Sequence, residues 1–330
     1  MTAVDDTVSW RRWLGRAAIA PRMAWRGVRW GLPARSLLFG PMSLGDDLLC
    51  TAVLHEARRR GQPFTMFTAR PELFAGNHDP AGIRPIDDHF STFLRRMKRT
   101  VISPYYVHPD AAAPDRDVLP KRHIIAEMCR LSGITGEVGL RPYLHLTDDE
   151  RKNAPRLPRQ IALHSTGMGA ALPYPTKEWG ADRFAELARL LSKDFSLVQL
   201  GSRHDPLLPE VALDLRGRTS LREAAAVQSV SLLFIGLEGF LTHLARAIDC
   251  PAVVIHGGRA PAGVFDYVAN INLYSRPPCS PCGLRTECPQ DLACMAAISA
   301  PAVAKAVQEM ITRSPAVLPV AKVELNRDDA

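Results

Sequence analysis

The sequence lacks several features that would place it in a well-known class of protein. None of its apolar runs approaches the ~20 residues that a membrane-spanning helix needs. Its N-terminus has neither the apolar core nor the small-residue cleavage site of a secretory signal, so we expect a cytoplasmic protein. The Walker loop, the GxSxG elbow and the GxGxxG fingerprint are also missing, which argues against a P-loop kinase, an α/β-hydrolase and a Rossmann dehydrogenase.

Charge is unevenly spread along a chain whose composition is otherwise that of a globular protein. The 330 residues carry a net charge of +7, and residues 1–35 contain seven Arg, two acids and four of the five Trp. This segment suits either contact with the anionic inner face of the plasma membrane or a solvated lead-in whose Trp side chains pack on the domain. No recognition helix or RNA-binding motif accompanies it, which argues against a nucleic-acid partner.

Apolar strands and amphipathic helices alternate along most of the chain. This alternation predicts parallel sheets covered on both faces, and the polar segment 148–160, with two Pro, is the predicted linker between two such units. We therefore expect an α/β protein with two doubly wound, Rossmann-like domains that face a central cleft. The first domain would span 36–147 and the second 161–312, preceded by the basic lead-in over 1–35 and followed by a disordered tail over 313–330.

The stretch 231–258 predicts a strand over 232–235, a turn over 236–239, a helix and a second strand. Such a turn lies at the carboxyl edge of a parallel sheet, where α/β proteins bind ligands. An acid, a hydroxyl and an imidazole beside a helix N-terminus suit a ribose and phosphates, although they would equally cap the helix or pack in the core. Polar residues also follow two earlier strands of this half. The predicted donor-binding residues are Ser165, Thr166, Lys177, Gly201, Ser202, Glu238, Gly239, Thr242 and His243.

Asp46 lies at the predicted start of the helix behind the first strand. A carboxylate in that place is either a general base facing the cleft or an N-cap. Asp47 follows at once and could cap the helix, which would leave Asp46 for chemistry.

Four of the seven cysteines have the most specific spacing in the chain. The pattern is C-x2-C-x5-C-x5-C, with Pro and Gly between the thiols, and it suits a tetrahedral Zn or Fe centre. Without an open position or a His ligand such a centre would be structural. The alternatives to a metal centre are reduced free thiols or two local disulfides. A zinc ribbon that binds nucleic acid is a further interpretation of the same spacing. The cysteines are Cys279, Cys282, Cys288 and Cys294.

Taken in order, several segments match one family. The chain resembles glycosyltransferase family nine, the heptosyltransferase-like enzymes of bacterial surface-polysaccharide assembly. The likeness covers roughly 36–312, and many members also carry a Cys-rich segment before the last helix. The segments that carry the resemblance are 43–49, 177–188, 215–223 and 238–245.

The resemblance implies a GT-B fold, with the acceptor bound by the first half and a nucleotide-sugar by the second. It implies an inverting transfer without a catalytic metal, in which Asp46 matches the general base of the family. Lys177, Thr242 and His243 match positions near the diphosphate of the donor.

The chain departs from the family at 238–240, where Glu-Gly-Phe stands in place of Asp-Ser-Gly or Asp-Thr-Gly. The expected donor is therefore ADP-heptose or another nucleotide-sugar, and the expected acceptor a glycan, a lipid-linked molecule or a protein. The alternative is a non-catalytic nucleotide-binding or scaffold protein with a GT-B-like fold and a structural metal site.

Overall fold

The computed structural model describes residues 36–38, 44–86, 101–313 and 317–326. The basic lead-in over 1–35 lies outside the described residues, so both of its predicted roles remain predictions. Within the part that is described, no helix is long and apolar enough to cross a membrane.

Four parallel strands form the sheet of the first domain: β1 (Ser36–Leu38), β2 (Thr65–Thr68), β3 (Gly82–Pro85) and β4 (Val101–Ile102). Their order is β3-β2-β1-β4. Because the winding reverses between β1 and β4, the loops behind these two strands border a crevice at the carboxyl edge of the sheet. Helix α1 (Leu44–Arg59) follows β1 closely and brings Asp46 to this edge.

A hairpin, a helix and one more strand continue the first domain. They are β5 (His108–Asp110), β6 (Ala113–Val118), α2 (Ile124–Leu131) and β7 (Gly136–Gly139). The predicted linker is partly helical, because α3 (Asp148–Asn153) begins with a capping box in which Thr147 and Glu150 bond to each other's backbone amides.

Six parallel strands form the sheet of the second domain, in the order β10-β9-β8-β11-β12-β13. Here too the winding reverses, between β8 and β11, which is the topological switch point where doubly wound folds bind ligands. The strands are β8 (Gln160–Leu163), β9 (Ser196–Gln199), β10 (Leu213–Asp214), β11 (Phe234–Leu237), β12 (Ala252–Gly257) and β13 (Ile271–Tyr274). The helices are α4 (Ala181–Leu191), α5 (Leu221–Ser229), α6 (Phe240–Ala247), α7 (Ala293–Ala296) and α8 (Ala300–Arg313).

One apolar core joins the two domains. It includes Leu48 and Leu49 of α1 and Leu244 and Ala245 of α6, all of them fully buried. Both helices begin at a switch point, α1 behind β1 and α6 behind β11. Packing them in one core therefore brings the two switch points toward each other across the cleft.

The end of the chain returns to the first domain. Strand β14 (Lys322–Leu325) pairs antiparallel with β7, and Leu325 is buried. The prediction of a disordered tail over 313–330 is wrong for this strand and for the end of α8. Its alternating Lys-Val-Glu-Leu pattern is too short to be recognised alone, since the strand exists only because β7 offers a free edge.

Candidate active site

Asp46 lies in the first turn of α1 and is held by a tyrosine from the other side of the first-domain switch point. The Tyr106 hydroxyl donates a hydrogen bond of 2.6 Å to Asp46 Oδ1. Burial, together with the charge of Asp46, raises the pKa of Tyr106 well above its usual range, so the phenol stays protonated and the carboxylate is the acceptor.

The neighbouring Asp47 has a different environment. Its side chain is buried, and its Oδ2 accepts hydrogen bonds from Thr68 (2.9 Å) and Arg70 (3.1 Å). Burial raises the pKa of Asp47 to about 6 although both partners oppose that shift. Asp47 therefore ties α1 to the strand and turn beside it, while Asp46 remains only partly buried.

Lys177 and Glu238 form an ion pair across the switch point of the second domain. Lys177 ends the short 3₁₀ helix Pro175–Lys177 beyond β8, and Glu238 follows β11 directly. The side chains are only 20% and 10% exposed. Burial opposes ionisation of Glu238, but the ammonium of Lys177 outweighs it and the pKa of Glu238 falls to about 2. The ammonium also lies over the rings of Tyr174 and Phe265, 4.9 and 5.7 Å from their centroids.

His243 stands beside this pair as a neutral imidazole. Burial lowers the pKa of His243 to about 4, so Lys177 is the cation that keeps Glu238 ionised at neutral pH. The Nδ1 atom of His243 lies 2.7 Å from the Tyr267 hydroxyl, and Nε2 lies 3.9 Å from Glu238 Oε1. The nearby carboxylate favours a proton on Nε2, which leaves Nδ1 to accept from Tyr267.

The turn at β11 is shorter than predicted. Gly236 lies inside the strand, where a Cβ would come within 2.6 Å of the Phe234 ring, and β11 is shifted two residues from the predicted 232–235. Leu232 is 44% exposed, so the apolar run of the sequence starts before the first buried residue of the strand. Gly239 is the N-cap of α6 in an extended conformation and leaves the helix N-terminus uncovered by a side chain.

The other predicted donor-binding residues hold loops at this edge in place. The Thr242 hydroxyl donates to the Leu237 carbonyl, and the Thr166 hydroxyl accepts from the Met168 amide. Ser165 is buried behind β8. These three lie at the same two strand ends as Lys177, Glu238 and His243.

Gly201 and Ser202 are one strand farther away, behind β9. The Ser202 amide donates to Asp205 Oδ2, and a Cβ at Gly201 would meet that oxygen at 2.2 Å. The φ of Gly201 is +135°, a conformation that favours glycine. The need for Gly201 is thus explained by the packing of Asp205 beneath the loop.

Sequence reasoning missed several residues of this region. Tyr106 was missed because it follows a two-residue strand with little pattern. His256 could have been found, since it directly follows the predicted strand 252–255; its Nε2 lies 3.0 Å from Asn272 Oδ1 and its ring stacks on Tyr274. Tyr267 comes from a loop that no periodicity marks.

The four clustered cysteines line one pocket with a volume of about 30 Å³. All four are free thiols, Cys279 exposed and the others half-buried. Burial raises the pKa of Cys294, with Cys282 and Cys288 contributing. Among the described residues, no three His, Cys, Asp or Glu side chains are close enough together to ligate one metal ion. The thiols share a pocket but are not closed around a common point.

Residues 283–287, between the second and third of these cysteines, form a strap against the first domain. Leu284 makes an antiparallel bridge with Arg116 of β6, and the Asp117 amide donates to the Gly283 carbonyl. Asp117 also forms a buried ion pair with Arg259, which follows β12. The Cys-rich segment therefore joins the β5–β6 hairpin to the second domain.

A family model identifies the larger part of the second domain. Residues 141–291 match glycosyltransferase family 9 (heptosyltransferase). The resemblance to family 9 that the sequence motifs predict is confirmed there. No curated protein shows significant sequence similarity to the chain.

Solved glycosyltransferase structures share the fold over most of the chain. The family 9 glycosyltransferase of Veillonella parvula is 15% identical with a TM-score of 0.61, over 85% of this chain and 98% of that one. ADP-heptose LPS heptosyltransferase II of E. coli is 16% identical, with a TM-score of 0.61 over 84% and 99%. The iron-containing dodecameric glycosyltransferase TibC of enterotoxigenic E. coli is 17% identical, with a TM-score of 0.62 over 86% and 77%. These matches confirm the predicted GT-B fold.

The raised pKa of Asp47 predicts a specific pH dependence of stability. The carboxyl binds a proton more tightly in the folded chain, with a pKa of about 6, than in the unfolded chain, with a pKa of about 3.9. Its contribution to stability is therefore fully present below about pH 4 and lost as pH rises to about 6. Relative to Asp47→Asn, we expect the free energy of unfolding of the wild type to fall by roughly 2 kcal/mol between pH 4 and 7.

Denaturant unfolding of both proteins across this range is the measurement, and subtraction removes the other titrating groups. Asp182→Asn, an exposed acid in the first turn of α4, is the control and should give a flat difference. A flat difference for Asp47→Asn as well would contradict the assigned environment.

Proposed function

We propose that the protein is an inverting glycosyltransferase that moves a sugar, heptose or a related one, from a nucleotide-sugar to a bacterial surface glycan or another acceptor. The observation that carries the proposal is the placement of Asp46 and the Lys177–Glu238 pair at the two switch points. A base on one side and a cation beside a helix N-terminus on the other are the two groups that glycosyl transfer without a catalytic metal needs.

In this proposal Asp46 takes the proton from the acceptor hydroxyl. The acceptor oxygen attacks the anomeric carbon from the side opposite the nucleotide, and the bond from that carbon to the diphosphate oxygen breaks. Negative charge develops on the leaving diphosphate. Lys177 and the backbone amides at the start of α6 would stabilise it, and no DxD pair is needed for a metal.

Family 9 proteins support the choice of donor and acceptor classes. E. coli heptosyltransferase II is named for ADP-heptose and lipopolysaccharide, and TibC has been crystallised with ADP-D-beta-D-heptose. We propose ADP-heptose or another nucleotide-sugar as donor here, with the acceptor a glycan, a lipid-linked molecule or a protein. We further propose that the enzyme works in the cytoplasm, with residues 1–35 contacting the inner face of the plasma membrane.

We also propose that the four thiolates of Cys279, Cys282, Cys288 and Cys294 hold a structural Zn or Fe ion. Thiolate ligands suit both metals, the shared pocket is large enough for one ion, and TibC is described as iron-containing. The side chains would have to turn toward one another to close the site. Such an ion would tie the two ends of the strap 283–287 together, and the strap accepts hydrogen bonds from Thr176, the residue before Lys177.

Asp46→Asn tests the assignment of the base. An amide cannot accept the proton, so we expect transfer to fall about 10²- to 10⁴-fold while the protein stays folded and binds donor normally. Transfer from labelled ADP-heptose and a panel of nucleotide-sugars to acceptors in a cell extract is the measurement, with Asp182→Asn as the matched control. Near-normal turnover in a folded variant would remove Asp46 from the mechanism. Wild type that binds a donor but transfers to no acceptor would favour the non-catalytic alternative.

Metal analysis tests the cysteine site. We expect about one Zn or Fe per chain in protein purified without oxygen, and loss of that metal in the double variant Cys282→Ser/Cys288→Ser. Cys129→Ala removes a buried thiol outside the cluster and should keep the metal. Wild type without metal, or a double variant that retains it in full, would contradict the proposal.

A further inference from the structure

We propose that Tyr106 is a positioning residue that fixes the carboxylate of Asp46 and is itself held by a residue of the second domain. This inference rests on the proposed function, because it assumes that Asp46 acts as the base. It adds a residue that the sequence motifs do not mark and links the base to the donor side of the cleft.

A hydrogen bond joins Tyr106 to Asp46. The Tyr106 hydroxyl lies 2.6 Å from Asp46 Oδ1, and its raised pKa keeps the proton on the phenol oxygen. One carboxylate oxygen is therefore tethered, which restricts rotation of the carboxylate about its Cβ–Cγ bond. A general base must be held in one orientation to meet its proton, and a tether of this kind supplies that restraint.

The two partners of this hydrogen bond follow neighbouring strands of one sheet. It follows β4, and Asp46 follows β1, so the two strands that flank the first-domain switch point each supply one partner. Glu238 and Lys177 have the same relation to β11 and β8 in the second domain. The pairing of Tyr106 with Asp46 is thus built by the sheet rather than by a chance contact of loops.

A residue of the second domain packs beside the ring of Tyr106. The Tyr106 ring forms an edge-to-face contact with Phe265, a buried residue of the second domain, with ring centroids 6.4 Å apart and an interplanar angle of 65°. Lys177 lies over the Phe265 ring at 5.7 Å. Contacts therefore run from the Lys177 ammonium through Phe265 and Tyr106 to Asp46. The charge of Glu238 adds a smaller contribution to the raised pKa of Tyr106, after burial and Asp46.

One substitution separates a positioning role of the Tyr106 hydroxyl from a packing role of its ring. Tyr106→Phe keeps the ring and its contact with Phe265 but removes the hydroxyl. The donor site on the second domain is left intact. We expect kcat to fall about 10- to 100-fold, the range that loss of one hydrogen bond to a charged group implies, with donor KM changed less than about twofold. Thermal stability should be close to that of the wild type.

The experiment is steady-state kinetics of four proteins: wild type, Tyr106→Phe, Asp46→Asn and the double variant. If Tyr106 acts through Asp46, the double variant should be no slower than Asp46→Asn alone. Tyr143→Phe is the control and should match the wild type, because Tyr143 lies in the first domain against His55, outside the site.

Two results would overturn the inference while leaving the proposed function in place. One is a Tyr106→Phe enzyme with normal kcat beside an inactive Asp46→Asn enzyme. The other is a double variant slower than Asp46→Asn by the full Tyr106→Phe factor, since the hydroxyl would then act independently. An active Asp46→Asn enzyme would instead refute the proposed base, and the positioning role with it.

Discussion

The ion pair between Lys177 and Glu238 is the interaction on which the geometry of the site depends. Lys177 is the first Lys, Arg, Asp or Glu after β8, and Glu238 is the first after β11. Their ion pair therefore joins the two loops that border the crevice at the switch point of the second domain. Both side chains are largely removed from water, and loss of one partner from such a pair typically costs ~3–5 kcal/mol because the other is left buried and uncompensated. The pair therefore holds a cation at the N-terminus of α6 when no ligand does, and a diphosphate arriving there would meet an ammonium already in place.

The same arrangement is repeated in the first domain with different chemistry. There the switch point carries Asp46 and Tyr106, a carboxylate and a protonated phenol, and the shared core of α1 and α6 brings the two edges face to face. Two further connections hold the domains in this relation. Strand β14 returns from the end of the chain to β7, and the strap 283–287 pairs with the β5–β6 hairpin. The fold thus brings the proposed base and the proposed phosphate-binding edge together from segments that are distant in sequence.

Much of this could be predicted from the sequence, because the strands and helices that build both sheets are strongly patterned. Asp46 and Glu238 were predicted as site residues because each lies shortly after a recognisable strand, whereas Lys177 lies in the longer loop behind β8. What could not be predicted depends on contacts between distant segments. Strand β14 needs the free edge of β7, and Tyr106 is informative only because its hydroxyl meets Asp46 60 residues away.

Donor binding by charge-matched variants tests the central claim most directly. Calorimetric titration of ADP and ADP-heptose should show binding to the wild type that falls about ten-fold or more in the double variant Lys177→Met/Glu238→Gln, which leaves no buried charge unpaired. Lys193→Met, an exposed lysine beyond α4, should bind as the wild type does. If the double variant is folded and binds the nucleotide with unchanged affinity, Lys177 does not hold the diphosphate and the second-domain switch point is not the donor site.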